Sequence, residues 1–73
     1  MKEFLTEKGF TLVSQCSCGG TFRQTFKKNI NFKSFTVILM PRRSRFEFRS
    51  DYKVAARGTY DDLEETLKEH EVI

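Results

Sequence analysis

The chain has no long apolar run, one histidine, two cysteines and one proline among its 73 residues. Each scarcity closes off a class of function. A membrane-spanning helix needs about 20 consecutive apolar residues, and no stretch here supplies them, so no membrane partner is expected. The opening MKEFLTEKGF carries acidic side chains and no apolar stretch ahead of a small-residue cleavage site, so it does not read as a secretory signal. The expectation is a cytoplasmic protein whose two cysteines are thiols rather than a structural disulfide. With a single histidine, no phosphate loop, no nucleophile elbow and no local cysteine–histidine signature, the chain lacks recognisable catalytic machinery. Glu64 and Glu65 are available as bases, but solvated carboxylates on a helix are common, and no enzyme is expected. Zinc takes four ligands. Cys16-Ser17-Cys18 offers two thiols at a spacing too short for a zinc knuckle, no second pair follows, and His70 is far away in sequence. Cys16 then reads as a small buried hydrophobe and Cys18 as a turn residue, with neither metal nor cofactor expected. Repeats, linkers and low-complexity tracts are absent too, and the length suits one small domain over residues 1–73.

What the chain does have is phenylalanine. Eight Phe and two Tyr allow a compact core despite the short length, because each ring buries a large area. Phe35, Val37 and Leu39 alternate with Thr36, Ile38 and Met40, and Phe46 and Phe48 alternate with Arg45, Glu47 and Arg49. A period of two in such residues is a strand signal. Pro41-Arg42-Arg43-Ser44 between them suits a loop, since proline presets φ and cannot donate to a ladder. A four-residue loop there pairs Met40 with Arg45, Leu39 with Phe46 and Val37 with Phe48. Every large apolar residue of the hairpin then shares one face, so the register is well specified.

Around this hairpin the other elements follow. Lys2 to Lys8 reads as a short helix with Phe4 and Leu5 inward, stopped at Gly9. Phe10 to Cys16 reads as a strand, and Thr21 to about Lys28 as its partner. A three-residue loop at Cys18-Gly19-Gly20 would pair Cys16 with Phe22 and Leu12 with Phe26; a two-residue loop would pair Cys16 with Arg23 and Leu12 with Lys27. The first separates the faces and is preferred. Asn29 to Lys33 is expected to be a connection with Phe32 tucked under. Ser50-Asp51 makes a turn, Tyr52 to Arg57 a last strand with Val54 and Ala56 inward, and Gly58 a break. Thr59 is the N-cap of a helix to about His70, with Asp62 completing an approximate capping box and Asp61 and Asp62 favoured by the helix dipole. Tyr60, Leu63, Leu67 and His70 form its apolar stripe, and Glu64 and Lys68 an i,i+4 pair.

The expected architecture is therefore α+β: a two-layer sandwich of a short N-terminal helix, an antiparallel meander of four to five strands and a C-terminal helix. Both helices should cover the sheet face bearing Phe22, Phe26, Phe35, Val37, Leu39, Phe46 and Phe48. The order of elements resembles the double-stranded-RNA-binding architecture in element sequence alone. Tyr60-Asp61-Asp62 stands where such domains carry a basic helix start, so no site is carried over.

Charge is divided along the chain. From Arg23 to Arg57 ten basic side chains face two acidic ones, a net charge of plus eight, whereas Thr59 to Ile73 carries a net minus five. The wet face of the sheet should hold Val13, Arg23, Thr25, Lys27, Thr36, Ile38, Met40, Arg45, Glu47, Arg49, Lys53 and Arg57. Lysines and arginines spread over one surface neutralise phosphates, and Arg42, Arg43 and Arg45 at a hairpin tip suit a ribbon entering a groove. The leading expectation is a non-enzymatic module contacting nucleic acid through Arg23, Lys27, Arg42, Arg43, Arg45, Arg49, Lys53 and Arg57. Aromatic rings for base stacking are expected on the wrong side of the sheet. The alternative is a protein-interaction or self-assembling subunit that uses Ile38, Met40 and an open strand edge, since Met and Arg are enriched at interface centres.

Overall fold

The computed structural model describes the backbone of all 73 residues and every side chain except that of Cys18. Its elements are α1 (Lys2–Glu7), β1 (Thr11–Cys16), β2 (Arg23–Ile30), β3 (Lys33–Met40), β4 (Arg45–Ser50), β5 (Lys53–Thr59) and α2 (Tyr60–Glu69). The five strands form one antiparallel sheet in chain order, an α+β meander with a helix at each end. The central hairpin has the register its alternation dictates, with Val37 opposite Phe48, Leu39 opposite Phe46 and Met40 opposite Arg45. Pro41–Arg43 closes it as a single 3-10 turn, and Ser44 returns the chain with a φ of +50°.

Phe26, Phe35, Val37, Leu39, Phe46 and Phe48 form one buried cluster with Leu5 of α1 and Leu63 and Leu67 of α2. Eleven apolar side chains make up this core, and no polar one is buried with them among the described residues. Phe35 and Phe48 stack with centroids 6.0 Å apart, and the His70 ring tilts against Phe48 at 4.9 Å. The exposed Glu64–Lys68 pair closes at 3.5 Å.

Both helices stop in the same way. Gly9, at φ +94°, directs the chain back so that its N–H donates to Thr6 O and that of Phe10 to Leu5 O. At α2, Glu71 (φ +58°) donates to Lys68 O and Val72 to Leu67 O. This paired arrangement satisfies carbonyls that a helix end otherwise leaves orphaned, and seats an apolar residue just beyond it. Those residues, Phe10 and Val72, are both buried. The two ends converge on Lys28, whose Nζ donates to Lys8 O at 2.6 Å and to Val72 O at 2.9 Å and lies 5.7 Å from the centre of the Phe10 ring. At the C-cap of α1 the cation also meets the negative end of the helix dipole.

The remaining expectations need correction in several places. Leu12 does pair with Phe26, but Cys16 pairs with Arg23, because a bulge between Leu12 and Ser14 absorbs one residue and lets both hold. Phe22 precedes β2 and is only half-buried, outside the core cluster. The segment after Lys28 continues as strand to Ile30, and the turn is Asn31-Phe32 alone, so the Phe32 ring is fully exposed rather than tucked under. The next turn likewise falls at Asp51-Tyr52. A second bulge, between Val54 and Ala56, puts Val54 opposite Arg49, which turns it from the core to the open side. Gly58 does not break β5. It lies opposite Phe46, where a Cβ would come within 3.3 Å of the Phe46 ring and 3.2 Å of the Asp62 carboxylate. Thr59 does begin α2, although its hydroxyl donates to Asp62 Oδ2 at 3.4 Å instead of capping a backbone N–H. The Tyr60 N–H is taken by Ser44 O at 2.9 Å, tying the helix start to the β3–β4 loop.

Replacing Lys28 by Met keeps the apolar stem and removes two charge-assisted bonds, and should cost about 1–2 kcal/mol. For a chain this short that is a fall in Tm of roughly 5–15 °C, measurable by thermal denaturation. An unchanged Tm would show that the helix ends hold without it.

Candidate functional site

The face of the sheet turned away from the core is built from alternate residues of every strand, and the register assigns them to rows. One row runs through Ser14, Thr25, Ile38, Glu47 and Arg57, and the next through Thr11, Lys27, Thr36, Arg49 and Val54. A third contains Met40, Arg45 and Thr59, with Arg23 beside Cys16 at the other edge. Of the eight basic residues expected to form a site, Arg23, Lys27, Arg45, Arg49 and Arg57 therefore share this face, and Arg42 and Arg43 project in the loop at its end. Lys53 does not join them. It pairs with Ser50, itself opposite Phe35, so its position has core-facing parity at the far end of the sheet.

The centre of the face is more ordered than a solvated charge field. Glu47 accepts from Arg49 Nε at 2.6 Å and from Arg57 Nε at 3.0 Å, and its side chain is only 13% exposed. Burial alone would raise its pKa. The two arginine hydrogen bonds, together with their positive charge, outweigh that and hold the carboxyl below its usual range. Two of the expected phosphate-binding arginines are thus committed to an internal carboxylate. Arg23, Lys27, Arg42, Arg43 and Arg45 form no ion pair among the described residues and are all exposed. Ile38 and Met40 are half-buried on this face. With Arg23, Glu47 and Arg49 they line a shallow depression of about 70 Å³.

Cys16 is disulfide-bonded, which corrects the expectation of a free thiol there and removes the cysteine argument for a reducing compartment. The proposed turn role of Cys18's side chain lies outside the described residues. Among the described residues no three His, Cys, Asp or Glu side chains are grouped to hold a metal ion, and no helix is long and apolar enough to cross a membrane.

Two residues that sequence reasoning missed stand at the other end of the sheet from Arg42 and Arg43. Phe32 and Tyr52 are the most exposed large hydrophobics, at 108% and 80%. A signal for them existed in the parallel triplets Asn31-Phe32-Lys33 and Asp51-Tyr52-Lys53. No family model matches the chain, and neither a curated protein nor a solved structure matches it.

A carboxyl held below its unfolded value contributes stability that is fully present above about pH 4.5 and is lost as pH falls through its lowered folded pKa. Denaturation midpoints measured from about pH 6 down to about pH 2 should therefore fall less steeply for Glu47→Gln than for the parent chain. Identical slopes would show that Glu47 gains nothing from its arginines.

Proposed function

We propose that the protein is a non-enzymatic binding module that lays the open face of its sheet against nucleic acid. One arrangement supports this reading above the others. Arg23, Lys27, Arg42, Arg43 and Arg45 stand exposed and free of ion pairs among the described residues, along one sheet face and the loop that ends it. Unpaired cations spread in this way displace the counterions of a polyanion without first breaking an internal salt bridge. Glu47 fixes Arg49 and Arg57 in the middle of the face, so their remaining guanidinium N–H groups are presented in a set geometry. Thr25 and Thr36 supply neutral donors among the charges.

Assembly with a second protein, or with a second copy, is the competing reading. Ile38 and Met40 with Arg23 and Arg49 would form its centre. An added strand along the sheet edge is disfavoured, however, because β1 and β5, the two edge strands, each carry a bulge.

The triple variant Arg42→Ala, Arg43→Ala, Arg45→Ala should elute from a polyanion column at lower salt than the parent. The slope of log affinity against log salt should drop by roughly two to three, a little under one per lost phosphate contact. An unaltered elution would remove the loop from the contact. A concentration-dependent mass by light scattering, abolished by Ile38→Asp and indifferent to the arginines, would favour assembly instead.

A further inference from the structure

We infer that the end of the sheet carrying the β2–β3 and β4–β5 turns is a stacking site for unpaired bases, so that the ligand is a single-stranded nucleic acid. This rests on the nucleic-acid reading above and narrows it.

The two turns are built alike. Asn31 and Phe32 have φ of +49° and +68°, and Asp51 and Tyr52 have +50° and +70°. Two-residue hairpin turns with both φ positive match the twist of their strands, and asparagine or aspartate suits the first position. Glycine suits the second, because a large side chain in the left-handed region is a conformational outlier. Here that position holds Phe32 in one turn and Tyr52 in the other. Neither ring recovers the cost by packing: both are exposed, and neither meets another ring or a cation among the described residues. Backbone strain that the fold does not use is a reason to look for a ligand that does.

Geometry allows both rings to engage one ligand. In a meander these turns lie at the same end of the sheet, two strand spacings apart, or about 10 Å. They are tied to each other, since Asp51 N donates to Ser34 O at 2.9 Å and Ser34 N donates to Asp51 Oδ1 at 3.2 Å. Each ring is followed directly by a lysine, Lys33 and Lys53, both exposed. Two exposed aromatic prongs on tied turns, each followed in sequence by a lysine, match bases on a phosphate backbone, where every base offers a ring face whatever its identity. A duplex hides those faces; an unpaired strand presents them. Insertion into a bilayer would need a continuous apolar surface, and Asn31, Lys33, Asp51 and Lys53 interrupt it here. Lys27, exposed on the open face towards this same end of β2, continues the basic track from the prongs towards the arginine loop.

The test is fluorescence anisotropy of the whole chain with labelled oligothymidylate and oligouridylate of about a dozen nucleotides, against a hairpin duplex of equal charge. The single strands should bind more tightly than the duplex. Phe32→Gly and Tyr52→Gly should each lose about tenfold in affinity, with the salt slope unchanged. Both variants should match or exceed the parent in Tm, because glycine relieves the positive φ, so weaker binding could not be blamed on unfolding. The chain has no tryptophan and two tyrosines, so quenching of tyrosine emission by bound oligonucleotide should disappear in Tyr52→Phe while binding remains. Equal affinity for the duplex, or glycine variants that bind like the parent, would overturn the stacking site and leave the basic face standing. No binding to any nucleic acid would overturn both readings. Capture by phosphatidylserine vesicles without oligonucleotide binding would do the same and point to a lipid surface.

Discussion

Lys28 is where the two helices and the sheet are fastened together. It belongs to β2, opposite Phe35, on the side that faces the core. Six residues of α1 and ten of α2 are too few to hold a helix in water unaided. Each leans on the sheet through leucines, which fix its face but leave its end free to fray. The ammonium group reaches the carbonyl of Lys8, the C-cap of α1, and that of Val72 just past α2, so the segments that end both helices are held at one point above the sheet. Its approach is close, for a Cβ at Gly9 would lie 3.2 Å from Lys28 Cε. Glycine at position 9 therefore serves two needs, the reversal of the chain and room for the lysine stem.

With leucines of both helices in one buried cluster with the core-facing strand residues, the chemistry of the alternate positions follows from strand periodicity. Side chains at alternate positions must leave the core, and in β4 the residues that leave are Arg45, Glu47 and Arg49. Three like charges at this spacing would repel. Glutamate in the middle, bonded to Arg49 and across the strand pair to Arg57, converts repulsion into a clamp. The clamp uses up two cations and leaves the periphery, Arg23, Lys27 and the loop arginines, as the part of the surface with charge to offer. Because both arginines keep much of their surface in water, solvent screening limits what these pairs add to stability. Their consequence here is the placement of charge rather than the strength of the fold.

The central hairpin was legible in the sequence because two bulky phenylalanines and a four-residue loop leave one register that keeps Phe46 and Phe48 off the solvent side. What could not be read has a common cause. A bulge inserts one residue without any compositional mark, so Cys16 came out on an unexpected partner and Val54 on an unexpected face. Lys28 counts in a sequence as surface charge, and only the convergence of two helix ends gives a lysine a reason to turn inward. Phe32 was misplaced because an aromatic next to an apparent loop is normally drawn into the core. Its position beside Asn31 in a two-residue turn forbids that. Which residues of the central hairpin alternate onto the open face was legible in outline, while the pairing of Arg49 and Arg57 with Glu47 required the actual distances.

The most informative departures from local preference lie in those two turns. Elsewhere glycine reverses α1, proline opens the β3–β4 loop, and every buried side chain among the described residues is apolar; Ser44 and Glu71 are also left-handed, but neither carries a large ring. A left-handed non-glycine residue costs on the order of 1 kcal/mol or more. Two such rings are a sizeable burden on a small domain whose whole stability is of order 5 kcal/mol. Neither ring returns that energy by burial, since both stand in solvent. A complex that covers the ring faces, as proposed above, would return it. The two turns repeat the same chemistry, an acid or its amide, then an aromatic, then a lysine, and the Ser34–Asp51 bonds hold them in one frame. The same backbone conformation recurs with related residues, Asn31-Phe32-Lys33 and Asp51-Tyr52-Lys53, at the same end of the sheet, and it is this recurrence on which the stacking proposal rests.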